Sequence, residues 1–160
     1  MQPYEIVSHF SEKKLAEIFS ELNSGQFKAV LRDGGLSTKV PPSCVLQKAR
    51  KRIWTKRIKD GLAAEKQELA SALLYHWLLF HRRKMLIDYL DGLEVKHMRG
   101  ETEETFTKTV PQDRLLAEAE KLMARYDAQD VAAYVLFLDY HQDSDVFATA
   151  TFVHEALEKA

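Results

Sequence analysis

The chain has 160 residues, 46% hydrophobic and 29% charged, the make-up of an ordinary globular protein and not of a disordered, collagenous or disulfide-stapled one. At this length roughly 70% of the unfolded surface can be buried, so a single domain spanning 1–160 can hold its own core. The one cysteine, Cys44, has no internal partner, which fits a reducing, cytoplasmic setting. Residues 1–10 lack the basic-then-apolar pattern of a signal peptide, and the most apolar run, 69–80, is too short for a bilayer, so no membrane insertion is expected.

The net charge of −1 hides a division. Residues 1–99 carry 18 basic and 11 acidic side chains, a net +7, whereas residues 100–160 carry 5 and 13, a net −8. Such asymmetry implies either an anionic partner for the basic part or attraction between the two parts, within one chain or between copies.

From Ser11, the apolar residues Leu15, Ile18, Phe19 and Leu22 recur at i, i+3, i+4 and i+7 and predict a helix that Asn23, Ser24 and Gly25 stop. A shorter helix with Phe27, Val30 and Leu31 on one face should follow, closed by Gly34 and Gly35. After a loop over 36–42, Pro41 and Pro42 precede a basic helix for which Ser43 is the expected N-cap. Residues 62–91 hold neither Gly nor Pro between Gly61 and Gly92 and predict one long central helix. Over 69–80 it is apolar all round, which places it among other helices, with Trp77 buried near Leu73, Leu74, Phe80, Val135 and Leu138.

The least regular stretch is 93–110, where the β-branched run Thr105, Thr107, Thr109 and Val110 around Phe106 allows a small hairpin turning near Gly100. Pro111 suits the first turn of a helix with Leu115, Leu116, Ala119, Leu122, Met123 and Tyr126 on its buried side. Asp127 can cap the next, carrying Val131, Tyr134, Val135 and Leu138. Asp143 or Ser144 can cap the last, carrying Val146, Phe147, Ala150, Val153 and Leu157. Connections this short force antiparallel neighbours, so the expected fold is an all-α multi-helix array around the central helix. No fixed period supports a repeat protein.

The sharpest constellation is Lys48, Arg50, Lys51, Arg52, Lys56, Arg57 and Lys59, seven cations in residues 48–59 interleaved with Ile53, Trp54 and Ile58. Such a helix can lie along phosphates with Trp54 stacking on a base, or meet an acidic protein surface or an anionic membrane. The plainer reading is a solvated helix with Ile53, Trp54 and Ile58 turned to the core. Arg82, Arg83 and Lys84 point in three directions and are expected to make surface ion pairs, for instance with Asp88 or Asp91.

His76 lies in the stripe of Leu69, Leu73 and Phe80 and is a candidate buried side chain; His81, five residues on, faces elsewhere, unlike an i, i+4 zinc pair. Glu94 and His97 have the spacing of one half of a di-iron site without its other half. Asp139, His141, Asp143 and Asp145 lack the glycine and distant glutamate of a calcium loop, and a helix start explains Asp143 and Asp145 more simply. Cys44, beside the expected cap, is a candidate helix-terminal thiol. There is no Gly-rich phosphate loop, nucleophile elbow or CxxC pair, and no cofactor or metal is expected.

These features favour a protein-interaction or regulatory module that forms homodimers, with Trp54 or Tyr134 as an aromatic anchor. A nucleic-acid-binding module working through helix 48–59 is the alternative. A helical enzyme or metal protein built on His76, His81 and His141 is the third reading, which needs those side chains to converge.

Overall fold

A computed structural model describes residues 1–158. Helix follows helix: α1 (Pro3–Ser8), α2 (Glu12–Glu21), α3 (Ser24–Asp33), α4 (Gln47–Ala63), α5 (Gln67–His81), α6 (Arg83–Gly92), α7 (Gln112–Met123), α8 (Ala128–Gln142) and α9 (Thr151–Glu158), with a 3-10 turn at Phe106–Lys108. The protein is all-α, and its helices pack compactly. The apolar α5 lies against α1, α3, α4 and α6, while the largely buried α8 packs on α1, α7 and α9. One hydrophobic cluster runs through all of them, from Ile6 to Leu157.

Several helix starts follow from side-chain chemistry. Ser11 accepts from the Lys14 amide at the head of α2, and Asp127 accepts from the Asp130 amide at the head of α8. Asn23 and Gln26 form a reciprocal capping box, so Ser24 and Gly25 sit inside the first turn of α3 instead of ending α2. The Ser43 cap is corrected: residues 41–44 form a turn closed by the Cys44 amide on the Pro41 carbonyl, and α4 begins only at Gln47 with no side-chain cap. Pro111 stands just ahead of α7, at its N-cap position.

The long helix 62–91 is in fact parts of three. Leu62 belongs to α4, which ends in a turn where Glu65 adopts φ +56° and the Lys66 amide bonds the Gly61 carbonyl. Gly61 does not stand ahead of a helix but lies inside α4 at a point of close approach, since a Cβ there would collide with Leu69 Cδ2. Gly34 meets the same residue, so α3, α4 and α5 converge on Leu69. The second break falls at Arg82, whose φ of −125° and ψ of 19° separate α5 from α6 without any glycine or proline.

That break has a tertiary cause. The Arg82 guanidinium is drawn onto Asp130 of α8 and reaches Glu21 at 2.9 Å and Glu17 at 3.1 Å in α2. It also donates to the His81 carbonyl, 2.9 Å away. Lys14, itself buried, reaches the other oxygen of Asp130. Both cations lie over Trp77, whose indole N–H donates to Glu21 at 2.8 Å and whose ring meets Phe10 edge-on. Trp77 is buried as expected, but Phe80 is not its core neighbour: it is 48% exposed and stacks on His76. Helix α5 therefore has an open side, marked by Tyr75 and Phe80, and is not apolar and enclosed all round.

The expected hairpin at 93–110 reduces to a single antiparallel bridge, Met98 with Glu101, around Arg99 and Gly100. Its β-branched half coils into the 3-10 turn because Phe106 is buried and Gln142 bonds the Thr107 amide, so the segment follows the core and α8 instead of pairing with a strand. The segment after α8 also departs from expectation. Asp143 takes the left-handed conformation that ends α8, and buried Asp139 accepts from the Phe147 and Ala148 amides at 2.7 and 2.8 Å, so α9 starts only at Thr151.

Trp77→Ala should lose about 3–5 kcal/mol of unfolding free energy. Asp130→Ala, which strands Lys14 and Arg82 beside a tryptophan, should cost about 3–5 kcal/mol as well. Urea unfolding followed by circular dichroism measures both, and the double variant should lose less than the sum because the two residues share Lys14 and Arg82 as neighbours.

Candidate functional site: the basic face of α4

The seven cations of α4 have two different fates. Arg50, Trp54 and Arg57 recur at i, i+4 and i+7, hence on one face. All three donate to the loop that precedes the helix: Arg50 to the Cys44 carbonyl at 2.8 Å, Trp54 Nε1 to Thr38 at 3.1 Å and Arg57 to Ser37 at 2.9 Å. They strap residues 37–44 to α4. Trp54 is 1% exposed, packed beside Phe27 with Lys28 over its ring, so no base can stack on it. It is a core side chain, as is Tyr134 at 4% exposure, and neither can anchor an interface.

Lys48, Arg52, Lys56 and Lys59 follow i, i+4, i+8 and i+11 and form one exposed stripe on the other side. Within it, Lys56 pairs with Asp60 at 2.6 Å and Lys59 approaches Glu12 at 3.6 Å, both in the open. Lys48 and Arg52, together with half-buried Lys51, have no carboxylate partner among the described residues. Immediately before the helix, Val45 and Leu46 are each 73% exposed. Ser24 ties the start of α3 to Gln47 and fixes this end of the helix. Because α4 packs chiefly on α3 and α5, the acidic C-terminal helices do not neutralise its outer stripe.

The other constellations resolve into separate local roles. Of the second basic cluster only Lys84 makes the expected surface pair, with Asp88 at 3.3 Å; Arg82 is mostly buried in the junction described above, and Arg83 donates to the Leu79 carbonyl. Asp91 instead binds His97 at 2.8 Å, and Glu94 binds Arg114 at 2.8 Å, so Glu94 and His97 face different partners. Buried His76 bonds Asp33 at 2.8 Å and His81 bonds Gln26 at 2.8 Å, while His141 packs on the edge of Phe137. The three histidines do not converge on common partners. Cys44 sits in the turn before α4 and not at a helix terminus. No helix among the described residues is long and apolar enough to cross a membrane.

Comparison of the chain with protein-family models, curated proteins and solved structures finds no match. The functional reading therefore rests on geometry and charge.

Titration follows from the same contacts. Burial lowers the His81 imidazole, against the pull of Glu21, and loss of water on the Phe137 side lowers His141. Burial raises the Glu21 carboxyl, but hydrogen bonds from Arg82 and Trp77 outweigh it and hold it below its ordinary 4.5. His76 holds Asp33, and Tyr126 holds Asp88, below the ordinary 3.8. A group whose folded pKa is depressed binds protons more readily when unfolded, so stability falls as pH falls. Urea midpoints should first decline as pH drops through 6.5, the ordinary value for histidine, and decline again below 4.5 as the carboxylates protonate. The double variant His81→Asn/His141→Asn should flatten the upper step and leave the lower one.

Proposed function

We propose that the protein is a binding module whose α4 face receives an acidic surface of a partner protein, a second copy of this chain being one such partner. The observation that carries this reading is the set Lys48, Lys51 and Arg52, left without carboxylates among the described residues beside the exposed pair Val45 and Leu46. Unpaired cations on a rigid helix cost little to desolvate only where an opposite charge replaces water, and they steer association with an acidic partner. An apolar pair at the end of the stripe adds contact area of the kind found at interface centres.

Self-association is supported by the charge division. Residues 100–160 net −8 and expose Glu101, Glu103, Glu104, Asp113 and Glu120, which suit the α4 stripe of another copy. Nucleic acid is the second reading, favoured by the spacing of Lys48, Arg52, Lys56 and Lys59 along one stripe. Val45 and Leu46 weigh against it, because apolar side chains gain nothing from phosphates, and buried Trp54 removes the stacking contact that a single strand would use.

Fluorescence anisotropy of a labelled polyglutamate peptide, measured beside labelled single- and double-stranded oligonucleotides, separates these readings. The peptide should bind at low salt and weaken as salt rises, and Lys48→Gln/Arg52→Gln/Lys56→Gln should weaken it by about tenfold or more, corresponding to about 1.4 kcal/mol. Absence of peptide binding, or binding that the triple variant leaves unchanged, would overturn the proposal. Tighter, more steeply salt-dependent binding of an oligonucleotide would replace it with the nucleic-acid reading. Light scattering at low and high salt reports self-association, which should dissociate as salt screens the charges over about 10 Å at 0.1 M.

A further inference from the structure

A cavity of about 260 Å³ lies between α5, α6, α8 and the irregular segment 100–105, away from the α4 face. One side of its wall is apolar, formed by Leu78, Leu79, Leu86, Leu90 and Phe137. An enclosed cavity of about 150 Å³ takes up benzene, so this larger one has room for a somewhat larger body.

Most of the rest of its lining is polar, and the acidic groups of that part lie together on the segment 100–105. Tyr134 lines the cavity, is 4% exposed, and its hydroxyl has no hydrogen-bond partner among the described residues. A buried hydroxyl without a partner is rare in a native protein and marks a place where a bound molecule can complete the contact. At the mouth, the segment 100–105 brings Glu101, Glu103 and Glu104 to the lining. Glu101 accepts from the Tyr75 hydroxyl at 2.5 Å, and Gln142 holds the Glu104 carbonyl at 3.3 Å, so the carboxylates are carried on a fastened segment. No lysine or arginine lines the cavity among the described residues; His141 is the one basic side chain there. An anionic molecule would meet three carboxylates with no lysine or arginine to offset them, whereas a cation would meet those carboxylates as opposite charges.

We propose that this cavity binds a small organic amine, its aromatic or aliphatic body held among Leu78, Leu86 and Phe137 and its ammonium turned to the Glu101, Glu103 and Glu104 mouth. The Tyr134 oxygen and the carboxylates are both acceptors for N–H groups. The apolar side would hold the body and the polar side would set its orientation, the division of labour found in ligand sites.

The test uses three probes that share one ring system and differ in charge: tryptamine, indole and indole-3-propionate. Protein NMR with labelled leucine methyls follows each titration. Tryptamine should show intermolecular contacts from its ring protons to the Leu78 and Leu86 methyls and should bind about tenfold more tightly than indole, a difference of about 1.4 kcal/mol. Indole-3-propionate should bind most weakly. Glu101→Gln/Glu104→Gln should bring tryptamine down to the affinity of indole and leave indole unchanged, and Leu138→Trp, which fills the cavity from α8, should abolish binding of both. Equal binding of tryptamine and indole would overturn the amine assignment. Absence of contacts to the cavity methyls with every probe, or undiminished binding in a folded Leu138→Trp protein, would overturn the site itself. If Leu138→Trp does not fold, the methyl contacts in the unaltered protein decide.

Discussion

Asp130 is the constraint around which the helices are arranged. It is a carboxylate at 2% exposure, and an isolated charge in such a place is strongly unfavourable unless cations accompany it. Lys14 from α2 and Arg82 from the α5–α6 break supply them, Glu17 and Glu21 share the excess positive charge, and Trp77 forms the apolar floor that both cations cover. The arrangement ties α2, α5 and α8 to one point and forces the break in what would otherwise be a continuous helix. Ion pairs in such a place add little to stability compared with apolar packing, yet they tolerate few alternative geometries. Their consequence here is orientation: the direction in which α6 leaves α5 is set by where Asp130 waits.

A similar economy governs α4. A helix with seven cations would repel itself if all were left in water on one side. Instead two arginines and Trp54 spend their N–H groups on the carbonyls of the preceding loop, which has no regular structure to satisfy those carbonyls internally. What remains outside is a narrower stripe bordered by Val45 and Leu46. The division between structural and presented cations is thus made by periodicity: residues 50, 54 and 57 share a face that the loop covers, and residues 48, 52, 56 and 59 share the one it does not.

Much of this was legible along the chain. The Asp127 cap acts on an amide three residues away, and the i, i+3, i+4 stripes of α2, α3 and α7 need only a core to face; both are local relations that composition and spacing reveal, whereas Asn23, read as a stop for α2, proves to be the cap of α3. The existence of a basic helix over 48–59 is of the same kind. Which of its cations would be free was not, because the acceptors of Arg50 and Arg57, the Cys44 and Ser37 carbonyls, lie in a loop whose path spacing does not fix. The cavity between α5, α6 and α8 was equally out of reach, since its walls come from four segments and its mouth from the stretch with the weakest pattern.

The sequence by itself determined that the chain is helical, where α2, α7 and α8 begin, that its charge divides near residue 100 and that Trp77 is buried, all consequences of short-range periodicity and of side-chain size. Only the tertiary structure decided that residues 62–91 break twice, that Phe80 faces outward, that Trp54 and Tyr134 are buried away from any protein interface, and that Asp139 instead of Asp143 or Asp145 organises the segment before α9. The physical reason is common to several of these cases. The Arg82 break, the closure of Trp54 and the segment before α9 each depend on a polar or charged group finding a partner on another element or across a bend, and a buried group unsatisfied costs more than the helical turn or the extended run that must be given up to satisfy it.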